Sequence, residues 1–140
     1  MPTIASRLAL RFASLVLLSG LPLAAHHSFA AEFDASKAIR VRGTLSKIEW
    51  TNPHSYFYVD MKDEKGVVTT WACEAGAPGA LGRRGFKRGD IKLGDTIVVD
   101  GYQAKDGSKL MDARRVQLPD GRIVSGGSAG DGGPGENTQN

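Results

Sequence analysis

Ile39-Arg40-Val41-Arg42-Gly43-Thr44-Leu45-Ser46-Lys47-Ile48-Glu49-Trp50-Thr51-Asn52-Pro53-His54 carries an apolar alternation that changes face part-way along. Ile39, Val41, Gly43 and Leu45 alternate on one parity, and Ile48 and Trp50 continue on the other. Successive strand residues face opposite sides, so a parity flip inside one apolar pattern calls for an inserted residue. The pattern predicts one long first strand, bulged around Ser46-Lys47, free to bend at Gly43, and broken at Asn52-Pro53.

Downstream, Phe57, Val59 and Met61 share one face, and Tyr56, Tyr58 and Asp60 the other. Asp63-Glu64-Lys65-Gly66 reads as a hairpin connection into a third strand, Val67 to Glu74. Ala77 to Arg84 then suits one or two helical turns, with Pro78 near the start and Gly85 as a stop. Leu93-Gly94-Asp95 turns into a strand over Thr96 to Tyr102, and Asp106-Gly107 closes a last hairpin into Leu110 to Leu118. The expected class is all-β with one short helix. A bent first strand, with a helix between the third and fourth, is the order of a single five-stranded OB-like barrel, although other small barrels share that strand count. Parity puts Phe57, Val59, Met61, Ile97, Val99, Val116 and Leu118 in the core. Trp71 shares a face with Cys73, and Ala72 with Glu74, with the inward face left open.

The ends read differently from the middle. Arg7 and Arg11 flank a short apolar run, Phe12 to Leu18, followed by Gly20, Pro22 and small residues. That is the order of a secretory signal peptide, with cleavage expected after Ala25 and a periplasmic or secreted product. The run is too short to span a bilayer, and no membrane association is expected after cleavage. Four segments follow: a signal peptide over 1–25, a leader over 26–38, the OB-like domain over 39–124, and a Gly-rich tail over 125–140. The tail carries no large apolar side chain and is expected to be disordered.

Loss of Arg7 and Arg11 lowers the formal charge from +3 to +1. So small a charge gives no strong field for nucleic acid or anionic lipid. Cys73 is the only cysteine, which excludes an internal disulfide even in an oxidising compartment.

His26-His27-Ser28-Phe29, Trp50-Thr51-Asn52-Pro53-His54, Trp71 with Glu74, Arg83-Arg84-Gly85, Leu93-Gly94-Asp95 and Ala104 to Gly107 together resemble a family of small exported bacterial proteins of unknown function. The resemblance implies an exported single domain and supplies no reaction. The chain departs from the family pattern in its glycine-rich Ala75 to Leu81 segment and at Cys73.

His26, His27 and His54 are the only histidines. A processed N-terminal His26 offers its α-amine and imidazole as a chelate, and the amine has a pKa of about 7.7–8, so metal displaces its proton readily. Nitrogen-rich sites favour Cu(II) among divalent first-row ions, which makes copper the expected ion. Cleavage after Ala24 instead would place a histidine third, which also suits Cu(II) or Ni(II). His54 follows the rigid Asn52-Pro53 pair in a loop that binds ligands in OB barrels, and it is the natural completing ligand. About twelve residues from His26 to Ile39 extend to at most roughly 40 Å, enough for the leader to double back along a bent strand. The competing reading makes His54 a turn cap for backbone freed by Pro53, and the paired histidines the polar edge of a cleavage site.

Trp50, Asn52, Tyr56, Tyr58, Arg83 and Arg84 form a candidate surface for a periplasmic protein or a small ligand, the alternative to a metal. Export and near-neutral charge argue against nucleic acid. No catalytic constellation is legible: Ser28 beside His27 lacks a third member, and Glu49, Asp60 and Glu74 are scattered along strands.

Overall fold

The computed structural model describes residues 28–128 and 130–134. His26 and His27, with the expected signal peptide and cleavage point, lie outside the described residues. Helix α1 (Phe29–Glu32) runs directly into β1 (Phe33–Glu49), followed by β2 (Ser55–Lys62) and β3 (Val68–Ala75). Then come helix α2 (Pro78–Arg83), a 3-10 turn (Arg88–Asp90), β4 (Thr96–Ala104), β5 (Leu110–Gln117) and a short β6 (Ile123–Ser125). The described residues are mostly β, with two short α-helices. Among the described residues no helix is long and apolar enough to cross a membrane.

Strand β1 pairs antiparallel with β2 on one side and β4 on the other; β2 pairs with β3, and β4 with β5. Strand β3 then lies parallel to β5, through Ala72, Cys73 and Glu74 against Leu110, Met111 and Asp112. The pairings thus return on themselves, from β1 through β2, β3, β5 and β4 to β1 again. The bulge sits where the parity flip puts it. The β1–β2 register slips between Leu45 and Lys47, and the extra residue, Ser46, turns its hydroxyl to the Tyr58 carbonyl at 3.2 Å. The bend needs glycine at two crossings. A Cβ at Gly43 would run into the Asp60 carbonyl, and one at Gly101 into that of Asp112.

Val41, Leu45, Phe57, Val59, Ile97, Val99 and Val116 fill the interior, joined by Trp71 and Cys73, so the Trp71 face is the inward one. Burial pushes the Cys73 thiol up to about 12, which leaves it a small inert hydrophobe. Leu81 of α2 and Phe86 after it are fully buried in the same core. Met61, expected inside, is only half-buried because it is the penultimate residue of β2.

Three features differ from expectation. Strand β1 starts at Phe33, and a second apolar cluster of Phe29, Phe33 and Ala104 anchors its early residues. Strand β6 adds a sixth strand antiparallel to β5, after a turn at Asp120-Gly121. The tail is the third. Gly126, Gly127 and Gly133 are buried, and Gly76 N–H donates to the Gly126 carbonyl at 2.9 Å. Residues 126–128 and 130–134 have no large apolar side chain to bury; hydrogen bonds and the Arg114–Asp131 ion pair hold them instead.

Gly43→Ala and Gly101→Ala are each expected to destabilise the chain by about 2 kcal/mol or more, because a rigid carbonyl cannot move aside. Gly82→Ala, in open space on α2, should stabilise by about 0.5–1 kcal/mol. Urea midpoints of the three variants check both signs.

Candidate functional site

The loop after Asn52 and Pro53 delivers His54 to the start of β2. The Thr51 hydroxyl donates to the His54 carbonyl at 3.0 Å, and Ser55 N–H to the Gly76 carbonyl at 3.3 Å. The imidazole is thereby carried to the end of β3, where Nδ1 lies 3.1 Å from Glu74 Oε1 and 3.1 Å from Ser128 Oγ. With Glu74 ionised, Nδ1 carries the proton and donates it, so the ring lone pair falls on Nε2. That atom is buried and has no hydrogen-bond partner among the described residues.

Register places four polar side chains in one row across the sheet. Tyr56 of β2 faces Glu74 of β3, Glu74 faces Asp112 of β5, and Asp112 faces Tyr102 of β4. The Tyr56 hydroxyl donates to Glu74 Oε2 at 3.0 Å, and burial followed by the Glu74 charge raises its pKa. Glu74 and Asp112 are both buried, at 7% and 3% exposure.

Arg114 is the cation of this end. Its Nε pairs with Asp112, its Nη2 donates to Asp131 at 2.8 Å, and its guanidinium stands 5.0 Å from the centre of the Phe29 ring. Phe29 N–H in turn donates to the Asp131 carbonyl at 2.9 Å. The start of the described chain, the tail and His54 therefore meet at one end of the sheet. Burial lifts the Asp112 carboxyl to about 7, with Asp131 and Glu74 adding to the rise against the pull of Arg114.

Of the residues singled out from sequence, His54 and Tyr56 are brought together through Glu74. Trp50 turns inward instead, against Phe57 at 5.8 Å and Phe86 at 5.4 Å, because the bulge puts it on the core side. Tyr58 donates to Glu49 at 3.0 Å under the Lys47 ammonium, and Asn52 stands exposed in its loop. Arg83 is exposed at the end of α2, whereas Arg84 donates to the Gly127 carbonyl at 2.8 Å and clamps the tail. Among the described residues no three histidine, cysteine or acidic side chains make a group that could hold a metal.

A model of a family of unknown function, DUF6152, matches residues 14–111. The chain belongs to this family. No curated protein and no solved structure matches the chain. The DUF6152 match takes in His54, Tyr56 and Glu74, and stops one residue short of Asp112. Arg114 and the tail residues that meet it lie beyond the matched span.

Asp112 generates a signed expectation. Its folded pKa is raised above the unfolded value near 3.8, so its contribution is fully present below that value and is lost as pH rises through about 7. The downward shifts, at Asp34, Glu49, Asp90, Asp100, Asp106 and Asp120, act at lower pH. Unfolding free energy should therefore fall between pH 5 and pH 8, on the order of a few kcal/mol, and Asp112→Asn should flatten that slope. Urea unfolding of both chains across this range checks it; parallel curves would exclude Asp112 as the cause.

Proposed function

We propose that this chain is an exported OB-like barrel that binds copper through the α-amine and imidazole of His26, the imidazole of His27, and Nε2 of His54. It holds or passes on the ion and catalyses no reaction of its own. The observation that carries the reading is His54: one ring nitrogen is turned to a carboxylate, and the other is buried without a partner among the described residues. A carboxylate on the far nitrogen is the usual way a metal-ligating histidine is oriented and made more basic. Two neutral imidazoles and an amine added to it make the nitrogen-rich set that suits Cu(II).

The chain path supports the same reading. His27 directly precedes Ser28, and Phe29 is tied to Asp131, while His54 is tied to Ser128. Those two tail residues are three apart, so about 11 Å of backbone at most separates the ties. Phe29, the second described residue, thus lies at the same end of the sheet as His54. The closed order of pairings, with β3 parallel to β5 and a helix between β3 and β4, supports the OB-like reading. The apolar stretch before Ala25 supports export to the periplasm or beyond.

Cu(II) titrated into the processed chain beginning at His26 should bind tighter than about 1 µM, and weaken at least about tenfold with one extra residue ahead of His26. His54→Ala should weaken it by a similar factor while circular dichroism stays unchanged. Affinity should also fall as pH drops below about 7.7, where the amine takes up its proton. No binding tighter than about 1 µM would sink the copper reading and leave a metal-free module that binds a protein or small ligand. Unchanged affinity in His54→Ala would remove that residue from the centre.

A further inference from the structure

The outer face of β1, β4 and β5 carries an excess of one sign of charge, and register lays it out in rows. Arg40 of β1, Asp100 of β4 and Arg115 of β5 stand side by side, and the next row is Arg42, Val98 and Gln117. The Arg40 fork takes both Asp100 oxygens, Nε to Oδ1 at 2.5 Å and Nη2 to Oδ2 at 3.0 Å. Those hydrogen bonds, with the Arg40 and Arg115 charges behind them, hold the Asp100 carboxyl below its ordinary range. Arg115 is exposed beside a carboxylate whose two oxygens are already taken. Among the described residues neither Arg115 nor the exposed Arg42 forms a hydrogen bond or an ion pair.

Three guanidiniums against one carboxylate leave this face at +2, more than the +1 that remains on the whole chain without Arg7 and Arg11. A groove of about 550 Å³ runs beside Arg42, past Thr96, Val98 and Gln117, and one of about 360 Å³ lies beside Arg115 and Tyr102. Arg40 lines both. A guanidinium presents its donors as a planar fork that matches a carboxylate, and Arg40 on Asp100 shows that match on this face. Two forks stay open. Neighbouring strands lie about 4.8 Å apart and same-face residues about 7 Å apart, so Arg42 and Arg115 stand about 12 Å apart, two strands and one row away. Residues three or four apart in an extended peptide span that distance. Val98, half-buried between the two arginines, offers an apolar seat midway. Two excess charges separated by an apolar residue suit a mixed peptide better than a polyanion, whose affinity grows with a continuous basic stripe.

We propose that this face docks an extended acidic segment of a partner protein. Two carboxylates three or four residues apart sit on Arg42 and Arg115, and an apolar side chain between them rests on Val98. Docking here stands apart from the copper reading, because the two share no residue.

The test uses the processed full-length chain with metal chelated, and a fluorescein-labelled peptide bearing two glutamates four residues apart with a valine midway. Fluorescence anisotropy should show binding on the order of 100 µM in about 20 mM salt. Affinity should fall several-fold at about 150 mM as the charges are screened. Arg42→Ala with Arg115→Ala should weaken binding about tenfold; lysine at both positions should weaken it less, since the charge survives without the fork. Lys65→Ala with Lys109→Ala removes the same charge from residues that line neither groove, and should leave affinity unchanged. Circular dichroism monitors the fold of each variant. A folded Arg42→Ala, Arg115→Ala chain that binds like wild type would overturn the docking surface. Equal binding of a peptide with glutamine for both glutamates, or no binding tighter than about 1 mM, would do the same. Binding to phosphatidylglycerol vesicles but not to the acidic peptide would overturn the protein partner.

Discussion

The parallel contact between β3 and β5 ties the two ends of the strand order together. It closes the ring of pairings with only Ala72, Cys73 and Glu74 against Leu110, Met111 and Asp112. The middle pair seals Cys73 and Met111 into the apolar interior. The third sets two carboxylates side by side in a place with little water, where like charges repel strongly. Everything polar at that end follows from this adjacency. Arg114 comes in from the same strand to offset Asp112, the tail brings Asp131 to Arg114, and His54 and Tyr56 approach Glu74.

Sequence reasoning reached the strands well because their signals are local. The parity flip at Ser46, the hairpin glycines and the Pro78 helix start each depend on a few neighbouring residues, and the bulge and α2 lie where those residues put them. Export, metal binding and the role of the leader turn on residues outside the described chain. The polar row was not legible. Tyr56, Glu74, Asp112 and Tyr102 are far apart in sequence, and only register across three pairings aligns them. Glu74 looked like one of several solvated strand carboxylates because parity alone does not say that a tail covers its face.

The tail escaped for a different physical reason. Composition estimates how much apolar surface a segment buries, and by that measure residues after Val124 cannot order themselves. A segment can instead be ordered by donors and acceptors that a prebuilt surface presents. The Arg114 and Gly76 backbone groups and the two arginine side chains do this here. Glycine favours such docking, since a Cβ at Gly133 would run into the Arg114 guanidinium and one at Gly126 would crowd Val116 and Ala113.

Cost decides between a structural and a functional meaning for this end of the sheet. Buried ion pairs and buried carboxylates are poor stabilisers, and apolar side chains of similar volume commonly do as well or better. A cluster kept only for folding would be simpler as Leu or Phe at positions 74 and 112. A turn-capping histidine would spend its ring nitrogens on backbone; His54 instead turns one to Glu74 and leaves the other without a partner among the described residues. The ring is therefore held in place by Glu74 and Ser128 through Nδ1, and it does not cap the turn at Pro53 through either nitrogen.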